Sequence, residues 1–203
     1  MTKGQMKTLL RKFVRDTPEV QFEDAELDEI LNISYGHIQK ELVKFNAGWH
    51  IAVDTIDVTS GTSWYPMPPS FGLKYLRFKA TSGGDYLAIG KHNYLDIIGL
   101  TGSDHFYCRE GQWLGIFPTP TATVSAGIEL LHTPILALAE DDESPKIKTP
   151  LHLAIVYQAK LICLGETDES GEQTERRLKA LIDDIPFWYH IDQDKPDMLQ
   201  VMR

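Results

Sequence analysis

The 203-residue chain is short of cysteine, of basic charge and of long apolar runs. Its two cysteines, Cys108 and Cys163, lie far apart, so no disulfide framework holds the fold. They read as two buried thiols in a reducing compartment, and the chain reads as cytosolic. Twenty Lys and Arg stand against 29 Asp and Glu; the net charge of -9 and the pI near 5.2 repel polyanions. Any contact with nucleic acid has to be local, because clustered Lys and Arg that would neutralise phosphates are missing. No stretch approaches the roughly 20 apolar residues of a membrane helix. The start, Met1 to Val14, interleaves Lys3, Lys7, Arg11 and Lys12 with its apolar residues and has no continuous apolar core or cleavage site, which argues against a secretion signal.

Strings that carry chemistry are missing too. Phosphate-cradling loops need glycine-rich backbone leading into Gly-Lys-Ser/Thr; the nearest stretch, Gly99-Leu100-Thr101-Gly102-Ser103, has no lysine and reads as a turn. There is no Gly-x-Ser-x-Gly nucleophile elbow and no His-Glu-x-x-His. His105 and Cys108 could supply half of a zinc site, but no second pair stands at metal spacing. The remaining histidines are scattered singly. The carboxylates Asp141, Asp142, Asp168 and Glu169 sit in charge-rich loops and read as solvated faces before they read as an acid/base pair. No metal or cofactor is expected, and the chain reads as non-enzymatic.

What is present is ordinary globular material, 42% hydrophobic and 24% charged, enough for one medium domain or two small ones. Met6, Leu9, Leu10, Phe13 and Val14 recur at helical spacing and predict a helix that ends before Pro18. Asp24 is the expected cap of a second helix, with Leu27, Ile30, Leu31, Ile38, Leu42 and Phe45 as its stripe and Gly48 as its stop. From Trp49 the period changes to short β-prone runs: Ile51 to Val58, then Tyr75, Arg77 and Lys79 alternating with Leu76, Phe78 and Ala80. Closely spaced glycines and prolines punctuate this region, which predicts a small antiparallel β-domain over 49–135. Its last two strands are expected at Gln112 to Phe117 and Gly127 to His132, joined at Pro118-Thr119-Pro120, with Tyr86 to Ile98 partly helical on the spacing of Tyr94, Ile97 and Ile98.

Helical signals resume at Thr149-Pro150, a cap followed by proline at the first helical position. The helix it opens is apolar nearly all round and should be central. An amphipathic helix from Gln173 follows, with Leu178, Leu181, Ile182 and Ile185 inward and Pro186 as its end. Residues 187–203 mix aromatic, acidic and proline residues without a period and read as an extended tail. The fold class is therefore α+β: a helical bundle built from 1–48 and 136–186, a β-rich domain inserted at 49–135, and the tail. Charge is uneven across it: 7 basic and 8 acidic groups in 1–48, 5 and 7 in 49–135, 8 and 14 in 136–203. The twelve aromatics from Trp49 to Phe117 read as core and interface filling; a sugar platform or a stacking surface for bases is the alternative.

The order of the elements resembles the head-to-tail adaptor (connector) proteins of tailed bacteriophages. The resemblance rests on the opening helices with "FEDAELDEILNISYGHIQKEL", on "WYPMPPSFGLKYLRF" with its proline-bearing turn and strand, and on "QWLGIFPTPTATVSAGIELLHTPI". The charged loop and closing helix "LAEDDESPKIKTPLHLAIVYQAKLICLGE" complete it, over about residues 4 to 188. Two departures fall in the β region: "DHFYCREG" has no proline before Trp113, and the Pro66 to Pro69 cluster is richer than usual.

What the resemblance implies is a structural role in the virion, at the head-tail interface, with assembly in the bacterial host cytoplasm. Such a protein stands as a dodecameric ring beneath the portal protein. It joins capsid to tail nozzle or other tail proteins and continues a channel through which DNA passes without sequence-specific binding. Phe187, Trp188, Tyr189, Met198, Leu199 and Met202 are the candidates for docking on a partner. Asp168, Glu169 and Glu172 are the candidates for an acidic channel wall. A carbohydrate-binding tail module using the aromatic β region is the alternative from another class, and a cell-wall hydrolase, resting only on abundant carboxylates, is a third.

Overall fold

The structure is a computed structural model and describes residues 1–15, 21–45, 50–97, 104–164 and 169–189. The chain divides into two compact units, one of Met1–Trp49 with Leu136–Arg203 and one of His50–Ile135. The architecture is α+β, as the sequence predicts.

In the helical unit, α1 (Lys3–Val14) opens on a capping box: the Thr2 hydroxyl accepts from the Gln5 N–H at 3.3 Å, and the Gln5 side-chain Oε1 accepts from the Thr2 N–H at 3.0 Å. α2 (Asp24–Lys44) opens the same way, but on Glu23 and Glu26. Asp24, the expected cap, is instead the first helical residue, and its carboxylate receives Arg11 at 2.7 Å. α4 (Pro150–Leu164) begins at the expected proline. It packs against α1, α2 and α5 (Glu169–Asp183), which is why its sequence is apolar on more than one side. Its small residues Ala154 and Ala159 are fully buried with Leu151, Ile155 and Val156, in one core with Met6 and Leu10 of α1 and Leu27, Leu31, Ile38 and Leu42 of α2.

Pro186 does not end the helical unit. α5 stops at Asp183, and Pro186 lies in the first turn of a further short helix, α6 (Ile185–Tyr189), where its missing N–H costs nothing. Phe187 to Tyr189, expected as the start of the extended tail, are therefore helical. Residues 190–203, like the stop expected at Gly48, lie outside the described residues.

The other unit holds two four-stranded sheets. β1 (Ala52–Val58), β8 (Val124–Pro134), β3 (Ser70–Phe78) and β4 (Leu87–Ala88) form one in that order; β2 (Trp64–Pro66), β7 (Trp113–Phe117), β6 (Phe106–Glu110) and β5 (Gly90–Lys91) form the second. All pairs are antiparallel except β5 with β6, a two-residue parallel pairing that period alone does not announce. A four-residue helix, α3 (Tyr94–Ile97), follows β5. β7 and β8 are consecutive, as expected, yet they belong to different sheets; the chain crosses between them through a cis Phe117–Pro118 peptide. Leu114 and Ile116 of one sheet and Leu76, Phe78, Ile128 and Leu130 of the other close a single core.

Candidate partner-binding surfaces

Chemistry in the helical unit is mostly consumed internally. On α1, Lys3, Lys7 and Arg11 recur every four residues beside the apolar stripe Met6, Leu10 and Val14, so both rows are buried together. Lys3 Nζ lies 3.2 Å from Asp28, Lys7 Nζ 2.8 Å from Asp28 and 3.2 Å from Asp141, and Arg11 bonds Asp24. Burial is the largest influence on Lys7 and lowers its pKa, but the carboxylates of Asp28 and Asp141 outweigh it and hold the ammonium above its ordinary value. Burial likewise works to raise Asp28, and the hydrogen bonds and charges of Lys7 and Lys3 outweigh it in the other direction. The open cavity over this cluster is lined by Lys7, Arg11 and Lys12 with Asp24 and Asp141, and Lys7 and Arg11 are already held by those carboxylates.

Two amides on the inward face of α2 do work that the sequence analysis missed. Asn32 donates to Leu138 O and accepts from Leu138 N, at 3.2 and 2.8 Å; Gln39 does the same with Leu136, at 2.7 and 2.9 Å. Each amide completes a two-point pairing with one backbone residue, so the segment 136–138, which has no strand partner, is satisfied on the helix. The buried Tyr35 hydroxyl accepts from Lys146 N at 3.0 Å, and burial pushes its pKa up to about 12. The available signal was spacing: Asn32, Tyr35 and Gln39 fall among the apolar positions of α2, where polar groups need partners.

The expected docking residues separate. Trp188 and Tyr189 are half-buried against the helical core; the Tyr189 hydroxyl accepts from Lys148 N at 3.2 Å, and the Lys148 ammonium lies over its ring. Phe187, on the same turn of helix, is 75% exposed. Met198, Leu199 and Met202 lie outside the described residues. Of the acidic candidates, Asp168 lies outside them as well, and Glu169 opens α5. Glu172 is exposed, 3.7 Å from Arg176, and with Glu175 lines a groove between α4 and α5 whose other walls are Gln158, Leu161, Ile162 and Leu178.

In the β unit the aromatics largely pack on one another. Trp64, Tyr94 and Phe117 form a trio with centroids 5.6 to 5.9 Å apart, Phe78 packs on His105, and His92 meets Phe106 edge-on. Exposed Trp113 and Tyr75 belong to different sheets. Burial, with the Glu110 charge behind it, raises the Cys108 thiol, so it stays protonated. Among the described residues no group of three or more His, Cys, Asp or Glu is placed to hold a metal, and no helix is long and apolar enough to cross a membrane.

The helical unit is interrupted by a β unit, pairs Lys3, Lys7 and Arg11 internally, and leaves Ile33, Ile162 and Phe187 exposed. The family model described as SU10 adaptor protein matches residues 1–199, and the chain belongs to that family of phage head-to-tail adaptors. It is a structural component of a bacteriophage particle that interacts with head and tail proteins. No curated protein matches the chain.

Proposed function

We propose that copies of this chain form a dodecameric ring below the portal protein, join it to the tail nozzle or other tail proteins, and continue the channel through which DNA leaves the head. One observation carries this reading: the helical unit, with its core complete, still exposes Ile33 on α2, Ile162 on α4 and Phe187 on α6. Apolar groups left on several helices offer contacts to more than one neighbour, and a subunit in a ring has one on each side besides the proteins above and below.

Phe187 is the proposed anchor for the portal, with residues 190–203 reaching along a neighbouring protein; Trp188 and Tyr189 fix the α6 turn that presents it. The β unit is assigned to the tail side. Of the three acidic candidates, Asp168 and Glu169 are proposed to face the channel, where negative charge avoids trapping the passing polyanion, whereas Glu172 lines the α4–α5 groove and is not assigned to the channel. Mixing the full chain with the portal of the same phage and imaging the product by negative-stain electron microscopy tests the reading. Rings of the chain on the portal are expected. A portal that sediments alone would overturn it.

A further inference from the structure

The outward face of α2 is sorted by charge. Glu26, Glu29, Ile33, His37, Lys40 and Lys44 are all exposed and recur every three or four residues, so they lie in one stripe along the helix. The acidic residues occupy its first turns, the basic ones its last, and Ile33, 45% exposed, sits between them. Leu31, Tyr35, Ile38 and Leu42 hold the opposite face in the core, so this stripe keeps its orientation.

α5 packs on α4, as α2 does, and the groove between α4 and α5 carries apolar and acidic side chains that complement the Ile33 to Lys44 half of the stripe. Its volume is about 760 Å³, its floor is Leu161, Ile162 and Leu178, and its rim carries Glu172 and Glu175. Ile162 is 39% exposed. At a helical rise of about 1.5 Å per residue, Ile33 and Lys40 stand about 10 Å apart and Leu178 and Glu172 about 9 Å apart, so an apolar contact and an ion pair can form together. Both sides have an intramolecular competitor among the described residues: Arg176 lies 3.7 Å from Glu172, a long, exposed i,i+4 pair, and Lys44 Nζ lies 2.5 Å from Glu41, a surface i,i+3 pair, so Lys40 is the freer cation of the stripe.

We infer that the α2 stripe of one copy seats in the α4–α5 groove of the next, with Ile33 over Ile162 and Leu178 and with Lys40 and Lys44 against Glu172 and Glu175. The inference rests on the ring reading and gives it a specific contact. Because the two patches are different, each pairing leaves one stripe and one groove unused, so copies add head to tail until rotation closes the ring.

Charge reversal tests it. One variant carries Glu172→Lys with Glu175→Lys, the other Lys40→Glu with Lys44→Glu; all four residues are exposed, and helical circular dichroism checks each fold. Self-association is read by sedimentation velocity of the full chain at rising concentration in low salt, and by the number of copies recruited to the portal. Each variant alone should associate roughly tenfold more weakly than wild type, since two surface pairs turn from attraction to repulsion. Mixed one to one, the variants can alternate with complementary charges at every contact, and association should return; a quadruple variant carrying both reversals should behave like wild type. Neutral versions, Glu172→Gln with Glu175→Gln and Lys40→Gln with Lys44→Gln, should each weaken association, and mixing them should restore only every second contact, giving pairs that do not extend; they stand in for any reversal that fails to fold. Wild-type rings on the portal with no effect of any variant, or with reversals that mixing does not rescue, would overturn this contact and leave the ring standing. Association in neither assay would overturn both.

Discussion

Asp28 shows how a single side chain ties the first helix to the second. It is about one-third exposed, yet it receives two lysines whose own side chains are nearly inaccessible. Removing its charge leaves Lys3 with Asp141 and the Ala139 carbonyl, and Lys7 with Asp141 and a longer contact to Asp24, and a buried ammonium short of a close partner is costly. Asp28→Asn should lower unfolding stability in urea by about 2 kcal/mol, below the usual range for a fully buried pair because water and Asp141 compensate. The acid limb gives a second check. Asp28 is held below its ordinary value of 3.8, so its contribution is present above that pH and is lost as pH falls through the folded value. The variant should therefore lose less stability than wild type between about pH 4 and pH 2. Lys7 acts at the other extreme: its raised value places the loss of its contribution above pH 10.5.

At the scale of elements, two glycines make opposite predictions. Gly36 lies inside α2, half-buried, and a Cβ there would meet nothing within 4 Å. The glycine carries its full entropic cost without evident return, so Gly36→Ala should stabilise the helical unit by about 0.5–1 kcal/mol, seen as a higher urea midpoint with an unchanged slope. Gly127 in β8 is the reverse case. A Cβ would lie 2.6 Å from Val58 Cγ2 and 2.9 Å from Val58 Cβ, next to the irregularity in the β1–β8 pairing between Ile56 and Val58. Val58 is fully buried and cannot step aside, so Gly127→Ala should cost about 1–3 kcal/mol, measurable by thermal or urea unfolding.

Helix periods were readable because an amphipathic helix writes its buried face into the spacing of its own residues, as Leu27, Leu31, Ile38 and Leu42 do. The burial of Lys3, Lys7 and Arg11 was not, since spacing places them on one side of α1 without naming the carboxylates that accept them. Nor was the assignment of β7 and β8 to separate sheets, because alternation reports one strand's faces and is silent about its neighbours.

At the scale of the whole molecule, the boundary between folded body and tail has moved. Truncation before Phe187 would remove Trp188 and Tyr189, which the helical core uses. A chain ending at Tyr189 keeps the Phe187 anchor, so it should keep its melting temperature and co-sediment more weakly with the portal; undiminished binding would show that 190–203 take no part in docking. The charge asymmetry makes a separate prediction. Asp168→Asn with Glu169→Gln should slow DNA release or leave more DNA retained in particles that otherwise assemble normally, as followed by dye uptake during triggered ejection. Kinetics identical to wild type would remove these two residues from the channel wall.

The sequence by itself determined the α+β class, the position of the β region between two helical stretches, the central role of the apolar helix after Pro150 and the resemblance to phage adaptors. Those properties are written in local period, turn residues and segment order. Only the tertiary structure decided which charges are spent inside, how Asn32 and Gln39 satisfy the segment after the β unit, and that Phe187 alone among the three aromatics of α6 is left exposed. Each of these depends on a partner far along the chain. A side chain's spacing says which way it points, but whether a neighbour already occupies that direction is settled only by the packing of the whole unit.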